Sequence, residues 1–96
     1  MRIEIQKNAQ ETVVKLIGRL DTTTAPALEK TIREDVADAK NLVLDLKGLE
    51  YVSSAGLRVL LAAQKKMPNA MKLTNVQELV MEVFEITGFS TVLVIE

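Results

Sequence analysis

The chain has 96 residues, of which 48% are hydrophobic, and its 12 basic and 13 acidic side chains leave a net charge of −1. This length supports one packed domain over residues 1–96, and the apolar content argues against a disordered chain. The balanced charge excludes the basic surface that binds nucleic acid or an anionic membrane.

Residue types that the sequence lacks narrow the chemistry further. It contains no histidine and no cysteine, which excludes Ser-His-Asp and Cys-His catalysis, disulfides and the usual zinc sites. The N-terminus shows no signal peptide, and no apolar run approaches the roughly 20 residues that span a bilayer. We therefore expect a cytoplasmic protein that is not an enzyme, does not insert into a membrane and needs no metal or cofactor.

The first half of the chain predicts two strands, a helix and a third strand. Alternating apolar and polar residues predict a strand over Arg2–Lys7, and β-branched residues predict its hairpin partner over Thr12–Leu20. A run of capping residues from Asp21 to Thr24 precedes a helical pattern, with Thr24 as the expected N-cap. A short apolar strand is predicted over Leu42–Leu46.

The second half predicts two helices and two further strands. Helical spacing of apolar residues predicts a helix over Ser54–Lys66, and Ala70–Thr74 is predicted to be a fourth strand. Asn75 is expected to cap a third helix, which Gly88 ends, and Thr91–Ile95 is the expected last strand. The predicted core face of that helix consists of Leu79, Val80, Val83, Phe84 and Ile86. The order β-β-α-β-α-β-α-β predicts an α/β fold with a mixed, mostly parallel sheet of four to five strands and three main helices.

The most informative segment opens the second predicted helix and reads Ser53-Ser54-Ala55-Gly56-Leu57-Arg58. A helix start leaves backbone N–H groups unpaired and carries partial positive charge. A serine there caps the helix, or, when phosphorylated, holds its phosphate where an anion is favoured. The pattern alone leaves both interpretations of Ser54 open.

Three segments together resemble a known family. The first, Gly18–Asp21, reads G-R-L-D before the first helix. The second consists of L-D-L at Leu44–Leu46 followed by Y-V-S-S-A-G-L at Tyr51–Leu57. The third, Phe84–Phe89, reads F-E-I-T-G-F. In this order and spacing they are similar to STAS domains, the bacterial anti-sigma factor antagonists, over nearly the whole chain. The resemblance implies a single STAS-like α/β domain.

The resemblance also implies transcription regulation by partner switching. In this family the unmodified antagonist binds an anti-sigma factor and so releases a sigma factor. The anti-sigma factor is also a serine kinase that phosphorylates the antagonist, and a metal-dependent phosphatase reverses the modification. The modified serine stands two residues before the loop glycine, which by resemblance assigns Ser54 as the phosphorylation site and Gly56 as the glycine. Many members have aspartate where this chain has Ser53, which makes Ser53 the alternative site.

The expected partner-binding residues are Asp21, Thr24, Ser53, Ser54, Ala55, Gly56, Leu57 and Arg58. Several of them also fit a purely structural role: Asp21 as a helix cap, Gly56 in tight packing of the helix on the sheet, and Arg58 on a solvated helix face. An alternative function also stays open, because STAS-like domains occur as accessory subunits of lipid-transport ABC complexes and are not phosphorylated there.

Overall fold

The computed structural model describes every residue from Met1 to Glu96. Its strands are β1 Arg2–Lys7, β2 Thr12–Leu20, β3 Leu42–Val52 and β4 Met71–Thr74. Its helices are α1 Ala25–Lys30, which a π-helical segment Thr31–Asp35 prolongs, α2 Ser54–Lys66 and α3 Glu78–Thr87, which a 3₁₀ turn Phe89–Thr91 follows. The predicted bounds of β1, β2 and α2 are confirmed.

The four strands form one sheet in the order β1-β2-β3-β4. The first two pair antiparallel as a hairpin, whereas β2 with β3 and β3 with β4 pair parallel. This confirms the predicted mixed, mostly parallel sheet. The carboxyl ends of β2 and β3 lie side by side, since Leu20 pairs with Val52. The segments that leave these two strands therefore start at the same edge of the sheet.

Strand β3 is longer than the sequence predicts, because it continues from Leu46 to Val52. Two register shifts in its pairing with β2 interrupt the alternation of inward and outward side chains, which is how a β-bulge hides a strand from pattern reading. The predicted bounds leave residues 47–53 between the third strand and the second helix, whereas in the structure Ser53 alone separates β3 from α2.

One hydrophobic cluster of 19 buried residues joins the helices to one face of the sheet. Its members include Val14, Leu16, Leu42, Leu44, Met71 and Leu73 from that face, and Leu28, Leu60, Val80 and Phe84 from the helices. The opposite face carries Val13, Lys15, Val43, Asp45 and Lys72, none of which belongs to the cluster. A fully buried leucine stabilises the fold by about 1.5–3 kcal/mol, so this cluster holds α2 against that face of the sheet.

The start of α3 differs from the prediction. Its N-cap is Gln77, not Asn75. Asn75 has a positive φ of 55°, and its Nδ2 donates to Asp45 Oδ1 at 3.1 Å. The expected cap is wrong because a strand residue distant in sequence takes the Asn75 side chain. The predicted helix end is confirmed, since Gly88 has a left-handed φ of 81°.

The predicted core face of α3 is correct only in part. Val80 and Phe84 are buried, and Val83 is half-buried. Leu79 and Ile86 are 68% and 85% exposed, so their assignment to the core is wrong. A single helix face of about 100° cannot direct all five apolar positions inward.

The expected last strand does not form over Thr91–Ile95, and the tail makes only one parallel bridge, between Ile95 and Leu73. The buried side chain of Gln64 holds this tail. Its Oε1 accepts from Val94 N at 3.0 Å, and its Nε2 donates to Met71 O at 3.0 Å. The tail is thus held by α2 as well as by β4. The Gln64 amide bonds to backbone groups that a regular ladder would use.

Candidate functional site

The predicted site residues come from two segments that meet at one edge of the sheet. Asp21 and Thr24 follow the end of β2, and the serines follow the end of β3. Ser53 N donates to Leu20 O at 2.8 Å, which ties the two segments together where they leave the strands.

Ser53 is the N-cap of α2. Its backbone is extended, with φ −97° and ψ 175°, and its Oγ accepts from Gly56 N at 3.4 Å. Its carbonyl oxygen accepts from Leu57 N at 2.9 Å. The half-buried Ser53 is therefore engaged in closing the first turn of the helix.

Ser54 is the first residue of α2, and its side chain is exposed and makes no hydrogen bond. The backbone N–H groups of Ser54 and Ala55 also have no acceptor within the chain. The interpretation of Ser54 as the helix cap is wrong, because Ser53 fills that position. The free hydroxyl of Ser54 lies at the positive end of the helix, where an anion is stabilised.

Gly56 and Leu57 set the position of α2 on the sheet. A Cβ added at Gly56 would lie 2.6 Å from Leu20 Cγ and 3.0 Å from Leu20 O. Leu20 is itself fully buried, so it has no space to move aside. Leu57 is 5% exposed and belongs to the core. The structural role expected of Gly56 is confirmed, and the assignment of both residues to a binding surface stays a prediction.

The segment before α1 is closed by its own side chains. Asp21 Oδ1 accepts from Thr23 Oγ1 at 2.8 Å, from Thr23 N at 3.0 Å and from Thr24 N at 3.2 Å. Thr24 Oγ1 donates to Arg19 O and accepts from Asp21 N, both at 2.8 Å. Thr24 does occupy the N-cap position, but its side chain does not bond to the helix. The Asp21 carboxylate likewise bonds within the turn and not to the helix.

The same hydrogen bonds keep Asp21 ionised. The hydroxyl of Thr23 contributes most, followed by the N–H groups of Thr23 and Thr24, and together they hold the pKa of Asp21 below its ordinary value of 3.8. A negative charge is therefore fixed at neutral pH on the segment that Leu20 O joins to Ser53.

Sequence reasoning missed a cation–π pair at this edge of the sheet. The guanidinium carbon of Arg19 lies 4.2 Å from the ring centroid of Tyr51, a cation–π contact. The two residues are partners in the β2–β3 pairing, and both are exposed. The signal that could have found them is the register of β3 beyond Leu46, which the sequence alone did not show.

A groove of about 540 Å³ runs between α1 and α2, and its lining includes Ala55, the residue that follows Ser54. Ala55 and Arg58 line it, together with apolar side chains that include Ile32 and Val59. Arg58 is exposed and forms no ion pair in the chain. Two of the predicted binding residues thus border a concave surface next to the candidate phosphorylation site.

Two other classes of site receive no support from the geometry. No three histidine, cysteine, aspartate or glutamate residues are grouped so that they could hold a metal ion. The longest helix has 13 residues, and none of the helices has the length and apolar character that a membrane crossing requires.

Comparison with known proteins gives the family. Residues 3–95 match the family model described as "Mlab, STAS domain". The chain belongs to the STAS domain family. Among curated STAS relatives, the anti-sigma-B factor antagonist of Bacillus subtilis is 26% identical over 96 residues, which cover 97% of this chain and 88% of that protein.

Solved STAS structures agree with the fold described above. The crystal structure of an anti-sigma factor antagonist from Mycobacterium paratuberculosis superposes with a TM-score of 0.86 at 28% identity, covering 98% of this chain and 83% of that one. SpoIIAA in its unphosphorylated form gives a TM-score of 0.78 at 17% identity, covering 99% and 88% of the two chains. The Bacillus SpoIIAA structure in the phosphorylated form gives 0.72 at 16% identity, covering 99% and 91%. The Bacillus subtilis and Mycobacterium paratuberculosis relatives carry the names of regulatory binding proteins, in agreement with the prediction that this chain is not an enzyme.

Proposed function

We propose that this STAS domain is an anti-sigma factor antagonist whose binding is switched off by phosphorylation of Ser54. Its partner is an anti-sigma factor that is also a serine kinase, and a metal-dependent phosphatase restores the binding form. The exchange takes place in the cytoplasm, where the released sigma factor reaches its polymerase. The observation that carries the proposal is the exposed, unbonded hydroxyl of Ser54 at the first residue of α2.

The local hydrogen bonds favour Ser54 over Ser53 as the modified residue. Phosphorylation of Ser53 would convert its Oγ into an ester oxygen, a poorer acceptor for Gly56 N, and would weaken a cap that is worth about 1 kcal/mol. Ser54 has no such bond to lose. The unpaired N–H groups of Ser54 and Ala55 would in addition favour a phosphate at this position.

The same geometry explains how a phosphate would release the partner. Phosphorylation adds a charge of about −1.5 to −2 to a hydroxyl beside the groove that Ala55 and Arg58 line. The segment that Leu20 O joins to Ser53 already carries the negative charge of Asp21. A desolvation penalty of about 3–4 kcal/mol in the interface would weaken binding a few hundredfold.

This switch needs little backbone movement. Ser53 caps α2 and Gly56 fits closely against Leu20, so the first turn is held whether or not Ser54 is modified. The binding surface then changes by charge and volume alone. The existence of SpoIIAA structures in unphosphorylated and phosphorylated forms on the same fold supports this view.

The direct test is incubation of the chain with ATP and its anti-sigma factor kinase, followed by mass spectrometry and affinity measurement. We expect one phosphate on Ser54 and a few hundredfold weaker binding of the product. Ser54→Ala should take up no phosphate and keep its affinity, whereas the matched variant Ser53→Ala should still be phosphorylated. Phosphate found on Ser53, or affinity unchanged by phosphate on Ser54, would contradict the proposal.

The same experiment, with a copurification added, distinguishes the proposal from the alternative function as an accessory subunit of a lipid-transport ABC complex. The alternative predicts that the chain takes up no phosphate and copurifies with an ABC-type ATPase. The proposal predicts phosphate uptake and copurification with the kinase.

A further inference from the structure

Helix α3 has an outward apolar face that the fold does not use. Leu79 and Ile86 are 68% and 85% exposed, and the half-buried Val83 lies between them in sequence. Their spacing of four and three residues places them along one stripe of the helix. Because Val80 and Phe84 are buried in the core, α3 is apolar on two sides and packed on only one.

The charges of α3 are all of one sign. Its only charged residues are Glu78, Glu82 and Glu85, all of them exposed, and none forms an ion pair in the chain. Glu82 stands four residues from Glu78 and three from Glu85, a spacing at which like charges repel. Glu85 also lies in the last turn, where the helix dipole disfavours an anion. The helix dipole favours only Glu78, which lies in the first turn, so helix stability does not account for Glu82 and Glu85.

We propose that this face of α3, defined by Leu79, Val83, Ile86 and the three glutamates, binds a cationic amphipathic helix of a partner protein. Apolar residues of that helix would cover the Leu79–Ile86 stripe, and its lysines and arginines would pair with the carboxylates. A second copy of this chain fits poorly, because it would bring glutamates against glutamates. An anionic lipid surface is disfavoured for the same electrostatic reason. The surface lies on a different element from Ser54 and does not depend on the function proposed for that serine.

The test is a titration of the isotope-labelled full chain, followed by NMR. The probe is a synthetic peptide of about 18 residues, long enough for five helical turns, with leucines on one face and lysines on the other. A matched peptide carries glutamates in place of the lysines. We expect the amide signals of α3 to shift first, and the lysine peptide to bind at least about tenfold more tightly at low salt. This preference should shrink at about 1 M salt, because the charges are exposed.

Two double variants show whether the α3 face is the site. L79S/I86S should weaken binding of the lysine peptide about tenfold or more. The matched control V92S/V94S replaces two apolar side chains outside α3 that are 46% and 43% exposed, and it should bind as the native chain does. Circular dichroism and thermal melting of each variant establish that it is folded before it is titrated.

Three results would overturn the inference. The first is that the α3 face is not the site, shown either by shifts that map outside α3 or by native affinity of L79S/I86S. The second is equal binding of the glutamate peptide at low salt. The third is self-association of the chain that L79S/I86S abolishes, because this would make a second copy the occupant.

Discussion

The starts of α1 and α2 are both rich in hydroxyl side chains, yet they use them differently. Before α1, Thr24 Oγ1 bonds to Arg19 and Asp21, and Thr23 donates to the Asp21 carboxylate. At the start of α2, Ser53 bonds to Gly56, and Ser54 makes no side-chain bond. Each segment leaves one hydroxyl free, Thr22 before α1 and Ser54 in α2, but only Ser54 stands at a helix start whose N–H groups are unpaired.

This difference shows why a sequence pattern of hydroxyls does not by itself locate a modifiable residue. A hydroxyl that satisfies a backbone group is structural, and its loss costs stability. A hydroxyl with no partner, at a helix end with unpaired N–H groups, can change charge with little effect on the fold. The predictions below test which residues belong to each class.

The largest effect is expected at Gly56. In Gly56→Ala the new Cβ would overlap the buried side chain of Leu20, with a contact of 2.6 Å. Overpacking should lower the free energy of unfolding by about 2 kcal/mol, net of the better helix propensity of alanine. Urea denaturation measures it, with Arg58→Ala on the same helix as an exposed control within about 0.5 kcal/mol. Unchanged or increased stability of Gly56→Ala would show that the contact is not tight.

A smaller loss is expected at Thr24. Thr24→Val keeps the shape but removes the hydroxyl that bonds to Arg19 O and Asp21 N. The free energy of unfolding should fall by about 1–2 kcal/mol, since the part-buried N–H of Asp21 and the exposed carbonyl of Arg19 lose their partner. Thr22→Val is the matched control, because Thr22 is exposed and its side chain makes no hydrogen bond. Equal stability of the two variants would mean that the turn before α1 is not closed as described.

The two adjacent serines should differ in the same assay. Ser53→Ala removes the side-chain cap of α2 and should cost about 1 kcal/mol. Ser54→Ala removes no hydrogen bond and should change the free energy of unfolding by less than about 0.5 kcal/mol. If Ser54→Ala were the more damaging substitution, the assignment of the cap to Ser53 would be wrong.

The pH dependence of stability probes the turn before α1. The pKa of Asp21 is lowered in the folded chain, so its stabilising contribution is present above the unfolded value and is lost as the pH falls through the folded value. In Asp21→Asn this contribution is absent at every pH. We therefore expect the stability advantage of the native chain over Asp21→Asn to shrink as the pH is lowered below 3.8. An advantage that is constant across the acid range would contradict the hydrogen bonds described for Asp21.

Much of the fold follows from local sequence signals. The hairpin strands and α2 have the predicted bounds. In the strands, the alternating apolar pattern sets these bounds. In α2, the helical apolar pattern coincides with helix start and stop signals. The second half of β3 was missed because bulges break its alternation. The pattern of Thr91–Ile95 favours a strand, but it carries no sign that the side chain of Gln64 accepts from the N–H of Val94.

The candidate site was predictable in position but not in detail. The serine pair, Gly56 and the preceding strand place the segment at a helix start. Which serine caps the helix depends on φ and ψ at Ser53 and on the Gly56 N–H, which no residue pattern records. The Arg19–Tyr51 contact likewise depends on a strand register that only the assembled sheet defines.

The central claim is that charge placed on Ser54 releases the anti-sigma factor from an otherwise unchanged surface. The measurement that tests it is the affinity of the partner for three forms of the chain: unmodified, carrying phosphate on Ser54, and carrying phosphate on Ser53. The account predicts a few hundredfold weaker binding with phosphate on Ser54, together with a circular dichroism spectrum and thermal melt like those of the unmodified chain. Equal affinity of the unmodified and Ser54-phosphorylated forms would contradict it.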